Sequence, residues 1–252
     1  KWMSIGDLHN WYSAAGCELE TGRTGQVSDQ QDGLRYPAFY RVQDNQAAKG
    51  LWLGATNFYD PVVNKDYEYK VIHAGPRHLD IENETMPINM TMDGKYDHPN
   101  VFVDGDPATN LQYLDDVDNV DPFLPSDRRI NNTVQTSIGV QMKRTIYAFS
   151  HPKHQNYHIQ EYVFTNNGCF DADCNTSYEQ TLEGFQVYLQ YRYAISREGM
   201  VYDGNWLPQS AAWGHNTMND VIGEHPNAPS INDQFYDDGE IMRALFSWQG
   251  YH

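Results

Sequence analysis

From Phe185 to Ile195 every odd position is apolar or aromatic (Phe185, Val187, Leu189, Tyr191, Tyr193, Ile195) and the even ones are mostly polar. A period of two over that length predicts a long strand with one buried and one wetter face, since a helix would scatter the same side chains around its circumference. The run from Ile138 to Met142 alternates likewise and leads into 145–149, and 157–165 is rich in Tyr, Ile, Val and Phe. The intervening Ser150-His151-Pro152-Lys153-His154-Gln155-Asn156 reads as a turn. Strands joined so briefly usually pair antiparallel, so 134–196 predicts a three-stranded meander.

The first half is less regular. Leu51-Trp52-Leu53-Gly54 and the stretch from Tyr67 to Ile72 are short strand candidates, and Asn100-Val101-Phe102-Val103 precedes a turn at Asp104-Gly105-Asp106-Pro107. Residues 200–240 carry Gly, Asn, Pro and Asp at a density that predicts one extended loop. The expected fold is mainly β: an antiparallel β-sandwich-like domain with long loops and little helix. Residues 1–252 suit one such domain or two closely packed lobes split near 125–130.

Composition sharpens this picture. The 18 Tyr, 10 Phe and 6 Trp suit the half-buried faces of strands. A formal charge of −17 repels nucleic acid and anionic membrane surfaces, and no apolar run is long enough to cross a bilayer as a helix. Neither nucleic-acid binding nor membrane insertion is expected. The chain starts at Lys1 without a signal segment, which reads as a piece of a larger secreted protein.

Cys169 and Cys174 flank a polar turn between two strand patterns, and a disulfide there would close a small loop worth about 2 kcal/mol. A zinc site would need a second Cys/His pair at matching spacing. Cys17 is the odd cysteine, either a buried thiol or a link to another chain. Asn83, Asn89, Asn131 and Asn175 each begin an N-glycosylation triplet.

Four further groups carry candidate chemistry. Asp116, Asp118 and Asp121 lie in an acidic run whose oxygens suit calcium, although the EF-hand loop pattern is absent; no other cofactor is implied. His151, His154 and His158 have ligand-like spacing, but Pro152 argues against the helix that would bring them together. Tyr202, Trp206 and Trp213 place flat aromatic faces in the loop-rich region, as a sugar-stacking site would, with Trp248 nearby in sequence. A glycosidase would need two carboxylates facing one cleft, and Glu161, Glu179, Glu183, Glu198 and Asp203 are the nominees.

Ser4-Ile5-Gly6-Asp7-Leu8-His9-Asn10-Trp11, the stretch from Glu161 to Gly168, and Leu182-Glu183-Gly184-Phe185 resemble segments of large uncharacterised secreted proteins of marine and related bacteria, which carry a C-terminal secretion-sorting domain. The resemblance implies compartment and modularity and assigns no activity. The leading functional expectation is a non-enzymatic extracellular or cell-surface structural or interaction module, contacting like subunits or other envelope proteins. A glycan-binding module with polysaccharide as partner is the first alternative, and a glycoside hydrolase the second.

Overall fold

The computed structural model describes residues 1–18, 34–39, 46–74, 84–98, 102–107, 115–193, 217–222 and 244–249. In chain order the strands are β1 Trp2–Met3, β2 Asn10–Trp11, β3 Gln46–Asp60, β4 Lys65–Ala74, β5 Thr85–Gly94, β6 Phe102–Val103, β7 Asp106–Pro107, β8 Asn119–Val120, β9 Arg128–Thr136, β10 Val140–Ala148, β11 His158–Asn166, β12 Glu183–Tyr193, β13 Thr217–Ile222 and β14 Ala244–Gln249. No helix occurs among the described residues. The chain is mainly β, as its residue pattern predicts.

Two sheets form the body. One runs β11-β10-β9-β5-β8 and the other β12-β3-β4, all neighbours antiparallel except the short β5–β8 pair. Their facing sides share one core: Leu51, Leu53, Ala55, Phe58, Ile72 and Ala74 of the smaller sheet meet Val134, Val140 and Met142 of the larger, with Phe170 and Cys17 at the margin. Strand alternation explains this, because β10 buries Val140, Met142, Arg144, Ile146 and Ala148 and turns the intervening residues outward.

Farther along the same face of the large sheet, a second cluster joins Met92, Ile130, Ile146 and Ala148 to Met3, Ile5 and Tyr12. Between the two clusters lies a buried polar layer. The Arg144 guanidinium donates through Nη1 to the carbonyls of Gly16 (3.0 Å) and Cys17 (3.3 Å), and through Nη2 to Ser13 O (2.9 Å) and Asn132 Oδ1 (3.0 Å). Asn132 Nδ2 in turn donates to Ala14 O at 3.0 Å. Glu18 accepts from Asn10 Nδ2 at 2.6 Å and from Gln160 Nε2 at 2.7 Å. The first eighteen residues are thus a cover strapped to the sheet by side chains reaching up from it.

The expected meander over 134–196 is corrected in two respects. β9, β10 and β11 do form one, but Ile138 sits in the β9–β10 turn, where Gly139 takes φ +73, and β12 crosses to the opposite sheet to pair with β3. The crossing segment carries the Cys169–Cys174 disulfide, with Cα atoms 4.8 Å apart, and drives the Phe170 ring into the core 6.2 Å from Phe58. The alternation read in β12 is correct, with Val187 opposite Leu53 and Leu189 opposite Leu51. Both remain half-exposed because β12 is the edge strand of the smaller sheet. Within 200–240 the structure places β13, which pairs with β14, so that region is not one uninterrupted loop.

Candidate ligand-binding face

Leu51, Leu53 and Ala55 point from β3 into the core, so Gly50, Trp52, Gly54 and Thr56 line its outer side. The register of the neighbouring strands completes the outer face in rows. Tyr188, Trp52 and His73 stand abreast; Gln186, Gly54 and Val71 form the next row; Glu183, Thr56 and Tyr69 form the third. Tyr69 is 68% exposed, Tyr188 58% and Trp52 41%, a concentration of open aromatic surface on one sheet.

The two glycines have separate jobs. A Cβ on Gly50 would come within 3.0 Å of Trp52 Nε1, so the missing side chain lets the indole lie back along its own strand with its outer side open. A Cβ on Gly54 would approach nothing closer than 3.5 Å, and Gly54 does not take a positive φ. Neither packing nor backbone therefore requires glycine at 54, where its weak strand propensity is a cost. What glycine supplies there is an unobstructed floor beside the indole, a pattern associated with close approach of another molecule.

The His73 ring lies 5.5 Å from the Trp52 ring, tilted by 39°, and its Nδ1 is 3.1 Å from Glu84 Oε2. The same carboxylate oxygen accepts from the His73 backbone N–H at 3.1 Å. Thr56 Oγ1 donates to Glu183 O at 3.2 Å, and Gln186 and Gln190 supply amides along the edge. These rows hold no Lys or Arg and one Glu, Glu183, whose carboxylate accepts from Asn57 Nδ2 at 2.8 Å, in a chain that is 20% charged. Flat aromatic surface flanked by neutral hydrogen-bonding groups suits a ligand with apolar C–H faces and hydroxyl edges.

The acidic run has other partners. Asp118 pairs with Lys1 Nζ at 2.7 Å and accepts from the Met92 N–H at 2.6 Å; burial alone would raise its carboxyl, but these bonds outweigh that and hold it below its ordinary value. Asp121 Oδ1 accepts from the Phe123 N–H at 3.0 Å, and Asp116 is exposed. Buried Asp115 bonds Ser4 Oγ and, at 2.6 Å, His98 Nε2. His151 and His154 lie on an exposed turn with rings 5.4 Å apart, whereas His158 points inward to the Tyr12 hydroxyl at 2.8 Å. Among the described residues no three His, Cys, Asp or Glu side chains come together as a set of metal ligands.

Cys17 is buried beside Ser13 Oγ at 3.2 Å, and burial pushes its thiol above the ordinary value. Of the glycosylation triplets, Asn89 and Asn175 are exposed, whereas Asn131 Nδ2 donates to Asp93 Oδ2 at 2.8 Å. Glu161 and Glu179 are exposed, and Glu183 Oε2 accepts from Asn57 Nδ2 at 2.8 Å. Asn83, Glu198, Tyr202, Asp203, Trp206 and Trp213 lie outside the described residues. The Trp52 face itself was missed by sequence reasoning. Its signal was present as Gly50-Leu51-Trp52-Leu53-Gly54, a tryptophan between two glycines at strand spacing. No protein-family model, no curated protein and no solved structure matches the chain.

Proposed function

We propose that this chain is a carbohydrate-binding β-sandwich module of an extracellular protein. The observation that carries the reading is Trp52, laid back over Gly50 and open beside the bare floor of Gly54, on a sheet face dominated by aromatic and neutral polar residues. The bonded cysteine pair supports an oxidising compartment, where such disulfides persist.

Replacing the indole by a methyl group removes the stacking surface and leaves the core side of β3 intact. The Trp52→Ala variant is expected to lose about 2 kcal/mol of polysaccharide binding, roughly 30-fold in affinity, with little change in melting temperature. Affinity electrophoresis through gels containing neutral polysaccharides reads this directly. Unchanged retardation of the variant would sink the proposal.

A second reading, contact with like subunits or other envelope proteins, is favoured by Phe123. Its backbone is pinned by the Asp121 carboxylate, Pro122 and Pro125 flank the tip, Leu124 is buried beneath it, and the Phe123 ring is 93% exposed. An aromatic held this rigidly in water resembles an interface anchor. If it serves self-association, light scattering will give a mass above that of one 29.0 kDa chain, returning to one chain in Phe123→Ser. A single-chain mass in both proteins removes the like-subunit version.

A further inference from the structure

We infer that the ligand of the Trp52 face is an uncharged, linear polysaccharide that lies along the strands and engages roughly three or more of its rings at once. The inference rests on the carbohydrate-binding reading above and adds the charge, shape and minimum length of the sugar.

The charge follows from what the face lacks. Across the rows from Gln190 and Gly50 to Glu183, Thr56 and Tyr69, the positions hold aromatics, glycine, valine, threonine, glutamine, a histidine tied to Glu84, and Glu183 bonded to Asn57. A sulfated or uronic chain would find no Arg or Lys to fork onto, and it would enter the field of a chain with formal charge −17. A cationic sugar would find one carboxylate in those rows, Glu183, and that one is already bonded to Asn57 Nδ2 at 2.8 Å. Neutral hydroxyls, in contrast, are matched by Gln186 and Gln190.

Shape and length follow from the spacing. Trp52 and Thr56 are four residues apart on β3, and Tyr69 stands directly opposite Thr56 on β4. At 3.4 Å per residue the indole and the Tyr69 ring are therefore about 14 Å apart along the strands, farther than a pair of linked sugar rings reaches. The row between them is Gly54 with Val71, low enough for a chain to pass from one aromatic to the other. A branched or globular ligand would not use both ends with an empty middle.

The test uses the whole chain and calorimetric titration with di- and hexasaccharides of uncharged β-linked glucan, mannan and xylan, and with alginate as the anionic control. For the sugar that binds, the hexasaccharide is expected to bind at least about tenfold more tightly than the disaccharide. Tyr69→Ala should erase that gain, so that hexasaccharide and disaccharide bind the variant with the same affinity. Gly54→Val, whose Cβ has room and whose strand propensity is higher, should melt no lower than the parent and lose about tenfold or more for both lengths.

Equal affinity for both lengths would overturn the extended span and leave carbohydrate binding standing. Tighter binding of alginate than of any neutral sugar would overturn the assignment of charge. Full affinity in Gly54→Val would remove the floor from the site. Failure of every sugar to bind would overturn the inference together with the reading on which it rests.

Discussion

Arg144→Met is expected to destabilise the domain by about 4 kcal/mol, because the buried guanidinium is the common donor for three backbone carbonyls and one side-chain amide. Methionine nearly fills the volume, so the loss is chiefly polar: Gly16 O loses its guanidinium donor, and Ser13 O and Cys17 O are left with the backbone N–H groups of Gly16 at 3.3 Å and Ser13 at 2.9 Å. For a domain of this size that corresponds to a fall of about 10 °C in melting temperature by scanning calorimetry. The damage should be local first, with cleavage in 13–18 by a trace of protease before the sheets melt. Arg144→Lys supplies one donor where a fork is needed and should recover only part of the loss. A change below about 1 kcal/mol in Arg144→Met would mean that water replaces the guanidinium and that the strap is not what holds the first eighteen residues.

How much of this was legible beforehand varies by element for physical reasons. β12 was plain because its alternation is uninterrupted, and β11 because a segment rich in Tyr, Ile, Val and Phe follows a turn that carries proline. β10 read as an alternating run from Ile138 to Met142 that leads into 145–149. It is one strand whose core face holds an arginine, and that is intelligible only once the carbonyls of another segment are seen above it. The 15-residue β3 read as four residues, since Gly50 and Gly54 lower local strand propensity and Asn57 at φ +49 shifts which residues face inward. Ala55 is buried before that point and Phe58 after it, a change of phase that an alternation test scores as noise. The crossing of β12 to the other sheet depends on a partner strand more than a hundred residues earlier, which local pattern does not encode.

The candidate site divided the same way. Aromatic density in the loop region drew attention to Tyr202, Trp206 and Trp213, which lie outside the described residues, while Trp52 entered only as part of a short strand candidate. Periodicity alone could have corrected this. Leu51, Leu53 and Ala55 claim the buried face, so Trp52 must lie on the other side. In the acidic run, Asp118 and Asp121 are close in sequence, yet the chain turns each to a separate donor, and Asp116 is exposed.

The second large effect lies where the N-terminal cover meets the β10–β11 turn. Gly6 has φ +75, and a Cβ there would fall 2.5 Å from Gln155 O and 2.6 Å from Phe149 O. Both are backbone atoms, and Gln155 O is already engaged by the N–H groups of Asp7 at 2.7 Å and Leu8 at 3.2 Å, so it cannot retreat without giving up those bonds. Gly6→Ala is therefore expected to cost about 3 kcal/mol, roughly 1 for the left-handed backbone and the rest for the clash and the bonds it breaks. The expected fall in melting temperature is roughly 8 °C. Gly105→Ala isolates the first of those contributions: Gly105 has φ +92 in the tight β6–β7 turn, yet a Cβ there meets nothing within 4 Å. It should cost only about 1 kcal/mol. If the two variants melt together, backbone strain alone explains Gly6, and the close seating of the cover on the turn contributes nothing to stability; if Gly6→Ala falls well below Gly105→Ala, the seating is what the glycine protects.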